Sequence, residues 1–353
     1  MVFILLILVL WCRRSATVAD WYAQHVYPVL SKGLSWLASP FSFSVTEILI
    51  VLLVVLFIVR VVRIFTAKER RGRRVWLAVR LLLWIYVWFY AAWGINYFRS
   101  DLFARTESVP MPYEEAEFHE FLAEFSEQLN ANWCDVEEID REAVEKHVKT
   151  WYASLPPETG LAQPRSWQHP KRLTFNRIYS AVGVLGYIGP FFDEMHVNHD
   201  VMPLEYPFIY AHEYSHVLGV SNEAEANFWA FENCRHSEDP AIRYSAWYML
   251  LTYTAGNIHS LLDEEAYQAW RETLRPEVYA DLDFMQSHWQ SLRWAWLSRM
   301  QHRIYDVFLR SNRIADGTKN YGQVLRLVLT LSDLHDHEEP EEHNEPEAHG
   351  QKG

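Results

Sequence analysis

Long apolar runs occupy the first hundred residues of the chain. Residues 45–65 form one such run, and residues 76–98 form another that is interrupted only by Arg80 and Asn96. About 20 apolar residues suffice to cross the hydrocarbon core of a bilayer, so both runs predict membrane-spanning helices. Residues 2–12 are also apolar, but they are too few for an ordinary span. Whether they cross the membrane stays open.

Basic residues concentrate between the two predicted spans. Residues 60–80 contain eight Arg or Lys and one acidic residue. Such loops remain in the cytoplasm, so everything after about residue 99 is expected on the opposite side. The rings of Trp93 and Tyr97 then mark the outer interface, and the aromatic-rich segment 18–44 is typical of headgroup level. The sequence therefore predicts a multi-pass protein of the cell (inner) membrane with an extracytoplasmic domain.

The composition becomes that of a soluble domain after residue 112. Residues 160–205 lack a helical period, and β-forming stretches at 186–192 and 194–198 flank a turn. Elsewhere apolar residues recur at helical spacing. The expected fold is mainly α, with N-terminal transmembrane helices followed by a mostly helical domain that contains a small β-sheet. The main predicted helices cover residues 113–130, 135–155, 240–262, 263–274, 276–310 and 321–331.

These patterns divide the chain into a membrane region over residues 1–98, an extracytoplasmic domain over 99–331 and a tail over 332–353. The tail holds eight acidic residues, four His and one Lys. It cannot bury a core and is predicted to be disordered. The net charge of −13 argues against nucleic acid as a partner. The expected partners are the lipid bilayer and a peptide or protein substrate.

The three cysteines indicate no metal site of their own. Cys12, Cys134 and Cys234 include no C-x-x-C motif, so a cysteine-ligated zinc ion is not expected. Cys134 and Cys234 could pair if their domain lies in an oxidising compartment. The sequence leaves that disulfide, and the oligomeric state, open.

The strongest chemical signal is an H-E-x-x-H motif formed by His212, Glu213 and His216. Residues four apart share one face of a helix, so both imidazoles can reach one zinc ion. Glu213 follows the first histidine, where a carboxylate can take a proton from a water whose pKa the metal lowers to roughly 7. The motif fixes only three residues. The competing interpretation is a polar helical hairpin whose histidines merely pack.

A catalytic zinc site needs a third protein ligand, so that a water keeps the fourth position. Glu223 and Glu225 both lie in the first turn of a helix that Asn222 can cap. Glu225 falls at N3, where a glutamate usually closes a capping box. Glu223 is therefore the preferred ligand and Glu225 the alternative. Asn227 lies on the same face as Glu223 and can hydrogen-bond a ligand histidine.

Several segments together carry a family resemblance. They are Ser39–Val45, Trp93–Tyr97, Val197–Asn198, Pro207–Phe208, the H-E-x-x-H motif, Glu223–Phe228, Arg243–Ser245 and Phe308–Arg310. The chain resembles an uncharacterised bacterial membrane family, labelled only as a domain of unknown function, whose members resemble zinc metallopeptidases of the glutamate-zincin type.

The resemblance implies a zincin-like domain that binds Zn²⁺ through His212, His216 and Glu223, with Glu213 as the catalytic base. In such enzymes the third ligand lies four residues before an Asp or Asn, here Asn227. Tyr214, Ser215 and Val217 depart from the usual pattern, but none of them is a ligand. The resemblance itself establishes no reaction.

Three functional hypotheses compete. The leading one is a membrane-anchored zinc-dependent hydrolase, specifically a metallopeptidase acting on envelope proteins or peptides. The alternative is a zinc-stabilised, non-catalytic envelope binding or assembly protein. Glu213 favours the enzyme, because a purely structural zinc site does not need it. Intramembrane proteolysis is disfavoured, because the motif lies more than 100 residues beyond the last apolar run.

Overall fold

The described chain is mainly helical, with one two-stranded sheet, as the sequence predicts. The predicted tail from residue 333 onward lies outside the residues described. The computed structural model describes residues 2–66, 70–110, 115–312 and 321–332.

Two helices are long and apolar enough to cross a membrane. They are α4 (Val45–Thr66) and α5 (Arg71–Ala92), which pack against each other. The most apolar stretch of α4 has no buried residue, as expected for a helix surrounded by lipid. Helix α1 (Val2–Cys12) packs along α5 and is followed, after a bend of 111°, by the helical segment Ala16–Ala38. The number of candidate spans is two, or three if this bent pair is one span.

Helix α5 ends at Ala92, six residues before the predicted end of the second span. The chain continues as a 3₁₀-helix over Gly94–Phe98. A side chain at Gly94 would meet the Phe89 ring at 2.6 Å, so the tight turn requires glycine. Trp93 is only 4% exposed and donates its indole N–H to the carbonyl of His216 at 3.1 Å. The Trp93 ring therefore packs inside the protein instead of facing lipid, and its level relative to the membrane stays a prediction.

The segment predicted to lie at headgroup level is helical and is part of the core on one side. Tyr22, Tyr27 and Ser31 are buried, whereas Trp21 and Trp36 are exposed. The buried core continues without a break from this segment into the later helices. The division of the chain after residue 98 thus stays a prediction. The segment consists of α2 (Ala16–Trp21), a π-helical turn (Tyr22–Val26) and α3 (Tyr27–Ala38).

The remaining helices surround a central pair formed by α10 (Tyr206–Val217) and α11 (Glu223–Arg235), which make the most extensive contact between helices. The helix predicted over residues 276–310 is broken in two, because the backbone N–H of Trp294 bonds instead to the carbonyl of Ala181 at 2.9 Å. The helices are α6 (Leu102–Arg105), α7 (Glu115–Asn132), α8 (Arg141–Ser154), α9 (Asn176–Val182), α10 (Tyr206–Val217), α11 (Glu223–Arg235), α12 (Pro240–Leu261), α13 (Glu264–Glu272), α14 (Pro276–Leu292), α15 (Ala295–Ser311) and α16 (Tyr321–Leu331).

The sheet is an antiparallel hairpin of β1 (Gly186–Gly189) and β2 (Glu194–Val197), close to the predicted strands. Its buried strand β2 also holds the start of α4. The Glu194 carboxylate accepts the backbone N–H groups of Val45 and Thr46 at 3.0 and 2.7 Å. A carboxylate is favourable at this end of a helix dipole. The first turn of α4 is therefore fixed to the sheet of the domain.

All three cysteines fall within the described residues and are free. Burial raises the pKa of the Cys234 thiol, which keeps it protonated and unreactive. The disulfide between Cys134 and Cys234 that the sequence left open is therefore absent from this structure.

The predicted cytoplasmic location of the basic loop can be tested with reporter fusions. An alkaline phosphatase reporter fused after Pro110 should be active, because the domain is expected outside the cytoplasm. The matched fusion after Arg70, in the basic loop, should be inactive, and a reporter that works only in the cytoplasm should give the reverse pattern. Activity of the cytoplasmic reporter after Pro110 would show that the orientation is inverted.

Candidate metal centre

The centre is built on the turn between α10 and α11. Every residue of α10 is buried, including the polar side chains of His212, Glu213 and His216. The helix stops before Gly219, whose φ of +99° favours glycine over any other residue. Asn222 then caps α11 by accepting the backbone N–H groups of Ala224 and Glu225, as predicted. This turn brings the first residues of α11 back alongside the last turn of α10.

Three predicted side chains meet at this turn. The Nε2 atoms of His212 and His216 lie 3.3 and 3.6 Å from Oε2 of Glu223. Ligands bound at 2.0–2.1 Å around a tetrahedral zinc ion are separated by about 3.3 Å. One candidate ligand atom from each of the three residues lies within 4.8 Å of the others. Two of the three separations are therefore close to those of a tetrahedral zinc site, and the three side chains could hold a metal ion.

The other ring nitrogen of each histidine is already engaged. His212 Nδ1 lies 2.7 Å from Oδ1 of Asn227, the residue predicted for this role. His216 Nδ1 lies 2.8 Å from the carbonyl oxygen of Val220. Both partners accept, so Nδ1 of each ring carries a proton and Nε2 is the atom that faces Glu223.

The negative charge of Glu223 favours a positive charge between the two imidazoles. Burial lowers the pKa of His216, but the adjacent Glu223 carboxylate outweighs burial and raises the pKa to about 9. The same carboxylate oxygen that stabilises a protonated imidazole would stabilise a cation between the two rings.

Tyr305 of α15 fixes the second oxygen of Glu223. Its hydroxyl donates to Oε1 at 2.6 Å, which leaves Oε2 directed at the two histidines. No sequence signal points to Tyr305, because it lies 82 residues beyond Glu223 and carries no motif. Tyr97, from the 3₁₀-helix after α5, packs beside Trp93 and contacts Phe308 of α15.

Glu225 faces away from the two histidines. It forms an ion pair with Arg105 and accepts the indole N–H of Trp229 at 3.1 Å. The structure therefore brings Glu223 rather than Glu225 to the histidines, in agreement with the preference from sequence. The reason differs from the expected capping box, because the Glu225 carboxylate is occupied by a buried arginine from α6.

Glu213 lies beside the cluster in an unusual environment. It is 5% exposed, and in the part of the chain that the structure describes its Oε2 has no hydrogen-bond partner. Burial raises the pKa of this carboxyl to about 7. An unmade hydrogen bond on a buried group costs about 1–3 kcal/mol. Oε2 of Glu213 is therefore an acceptor that remains available at this position.

The β1 edge makes room for this carboxylate. A side chain at Gly186 would meet Cγ and Oε1 of Glu213 at 2.5 Å. Glycine within a strand often marks a close approach of another group, and that is the only sequence signal that could have identified Gly186.

His196 and His199, which lie shortly before the motif, do not join the cluster. His196 is fully buried, stacks on Tyr187 at 4.2 Å and hydrogen-bonds Ser44. Burial lowers its pKa to about 3, so this ring is neutral. His199 is exposed at the end of the hairpin. Both have the structural or surface roles expected of them.

Comparison with protein families matches residues 22–329 to the family described as "Protein of unknown function (DUF3810)". The chain belongs to this family. The DUF3810 match includes both candidate spans, the sheet and the whole metal-ligand cluster. No curated protein and no solved structure matches the chain. The expected membership of a family of unknown function is confirmed, and the likeness to glutamate zincins stays a prediction.

The close contact between Gly186 and Glu213 predicts that a methyl group added at position 186 destabilises the protein. Gly186→Ala should lower the free energy of unfolding by about 1–3 kcal/mol, because the new Cβ must displace the Glu213 carboxylate. Gly33→Ala in α3 is the control, since nothing lies within 4 Å of the added atom. It should be neutral or stabilising by up to about 1 kcal/mol. Thermal unfolding of both variants in detergent measures the difference, and equal midpoints would contradict the predicted clash.

Proposed function

We propose that this protein is a membrane-anchored zinc-dependent hydrolase, specifically a metallopeptidase that acts on envelope proteins or peptides outside the cytoplasm. One observation carries the proposal. Two histidine Nε2 atoms converge on one oxygen of Glu223, beside the buried Glu213 whose carboxylate oxygen is free. A ligand set and an unoccupied base at one point are the minimum that metal-assisted hydrolysis requires.

His212, His216 and Glu223 would hold the metal. The Glu223 oxygen lies at a tetrahedral-ligand distance from both Nε2 atoms, and both imidazoles are oriented by hydrogen bonds from Nδ1. Tyr305 keeps Glu223 from turning away, because it binds the oxygen that faces α15. A zinc ion bound there would supply Lewis acidity for a scissile carbonyl and lower the pKa of a water.

Glu213 would move the proton. Its Oε2 is free to accept a proton from the attacking water, and the resulting carboxylic acid can return that proton to the leaving nitrogen. The close packing of Gly186 against Cγ limits the positions open to this side chain. A restrained base with one free oxygen suits repeated proton transfer at a single site.

The edge strand β1 supports a peptide as the substrate. An extended peptide can add to a free sheet edge through main-chain hydrogen bonds. A cavity of about 670 Å³ lies near the start of β1 and is lined by Leu185, Met249, Trp270 and Trp289, among others, but by no residue of the candidate centre. Such a mostly apolar wall suits a hydrophobic side chain of a bound peptide.

The alternative is a zinc-stabilised binding or assembly protein without turnover. The central place of the α10–α11 pair in the core favours it, because a metal there would close a hairpin on which many helices pack. The unpaired Oε2 of Glu213 weighs against it, since a structural site gains nothing from a buried carboxylate without a partner.

Replacing Glu223 and Glu225, one at a time, by glutamine tests which of them binds the metal. Glu223→Gln should lose most of the zinc that copurifies with the full-length protein, because a neutral amide is a poor zinc ligand. Glu225→Gln is the matched control, two residues away. It should keep its zinc yet be less stable, because it leaves Arg105 buried without its carboxylate. Metal analysis and thermal unfolding separate the two effects. Equal zinc content in both variants would remove the assignment.

Replacement of the proposed base separates an enzyme from a scaffold. Glu213→Gln keeps the size of the side chain and should keep the zinc, but peptide turnover should fall by about 10²–10⁴-fold. His212→Ala should lose both zinc and turnover. Cleavage of a mixed peptide library by the detergent-solubilised protein, read by mass spectrometry, measures turnover. A Glu213→Gln protein that fully replaces the wild type in cells, when His212→Ala does not, would establish the scaffold instead.

A further inference from the structure

Helix α15 has two faces of opposite character. Trp296, Met300, Ile304 and Val307 form an outer stripe, with exposed fractions between 48% and 68%. Their spacing of three or four residues places them on one face. Tyr305 points to the other side, where it holds Glu223. A contiguous apolar stripe of this kind on a protein surface marks an interaction site.

The last turn of α15 contacts the end of α5 that faces the domain. The rings of Phe308 and Phe89 lie 6.0 Å apart, edge to face. The hydroxyl of Tyr90 donates to Oδ1 of Asn312, directly after the helix, at 2.6 Å. This end of α15 is therefore level with the point where α5 leaves the candidate membrane region at Ala92.

The first turn of α15 is tied to the corresponding end of α4. The backbone N–H of Trp294 bonds to Ala181 at the end of α9, and α15 packs along α9. Just before α9, the backbone N–H of Thr174 bonds to Glu47, in the first turn of α4, at 2.7 Å. Helix α15 thus extends from the start of one candidate span to the end of the other, across the same end of the pair.

Other exposed apolar side chains belong to α5, to α9 and its N-cap, or to the segment just before α4; both α5 and α9 contact α15. These side chains are Phe41, Phe43, Trp88, Phe175 and Ile178. Arg299 and Arg303 of α15 are exposed beside the stripe. Tryptophan and arginine at the edge of an apolar surface are typical of helices that lie at the headgroup level.

We propose that α15 is an interfacial helix whose apolar stripe is inserted into the bilayer leaflet on the domain side. The occupant of the stripe is lipid, because the stripe lies on a helix that contacts the end of α5 and is linked through α9 to the start of α4, at the same end of both candidate spans. Helices of this kind bury their apolar face about 5–10 Å into the boundary of headgroups and acyl chains. The acidic tail is a poor alternative occupant, since its eight carboxylates cannot replace an apolar surface.

This placement of α15 determines how far the candidate metal centre lies from the membrane surface. Tyr305 contacts Glu223 from the face of α15 opposite the stripe. The cluster is then about one helix diameter, 10–12 Å, from the leaflet. If the proposed hydrolase function holds, its substrates are segments that lie close to a membrane surface. The placement of α15 itself does not depend on that function.

Spin labels on two sides of the same helix test the proposal in the full-length protein. Ile304→Cys carries a label within the stripe, and His302→Cys carries a matched label two residues away, about 160° around the helix. Both residues are exposed, and Cys134→Ser removes the only cysteine that is not buried. In lipid nanodiscs, the ratio of oxygen to nickel-chelate accessibility should be several-fold higher at position 304 than at 302.

Each other outcome overturns the proposal. Equal ratios with high nickel accessibility would show that the stripe faces water. Low accessibility to both reagents at 304 would show that protein covers it, and dipolar broadening between labels would identify that protein as a second copy of the chain. Met300→Cys repeats the measurement one turn earlier, so a local disturbance at 304 cannot decide the result.

Discussion

The carboxylate of Glu223 is the point on which the candidate centre depends. It contacts two imidazoles of α10 through one oxygen and a hydroxyl of α15 through the other. Helices α10 and α15 are thereby both fixed to a single side chain at the start of α11. The arrangement leaves the carboxylate little freedom to rotate, and it keeps one oxygen directed at the imidazoles. Ligand orientation of this kind is set by surrounding partners as much as by the ligands themselves.

Glu213 shows the opposite arrangement, since its carboxylate is buried and one oxygen has no partner in the described structure. The surrounding core is dense, and Gly186 is pressed against the side chain, so the missing bond does not reflect loose packing. Groups held in such unfavourable states concentrate at functional sites, where the cost is offset by the rest of the fold. The two neighbouring glutamates therefore differ in role because their surroundings differ.

Local relations within the site were predictable from sequence, and distant ones were not. Helical spacing was sufficient to place His212 and His216 on one face, and cap preferences identified Asn222 and its turn. Tyr305, Gly186 and Arg105 were missed, because their contacts join segments that no periodic pattern links. The early end of α5 was missed for a related reason. Trp93 is apolar enough for a lipid surface, and only the tertiary contact with His216 shows that it belongs to the core.

The last turn of α10 illustrates what the membrane segments contribute. The carbonyls of His216, Val217 and Gly219 receive hydrogen bonds from Trp93, Tyr27 and Arg99, respectively, all from the N-terminal hundred residues. The N-terminal hundred residues therefore form part of the site. Another membrane anchor could not replace them without losing these contacts. A protein that consisted of the later helices alone, or of those helices fused to a different anchor, would lack the donors for these carbonyls. The two halves of the chain accordingly fold as one packed structure.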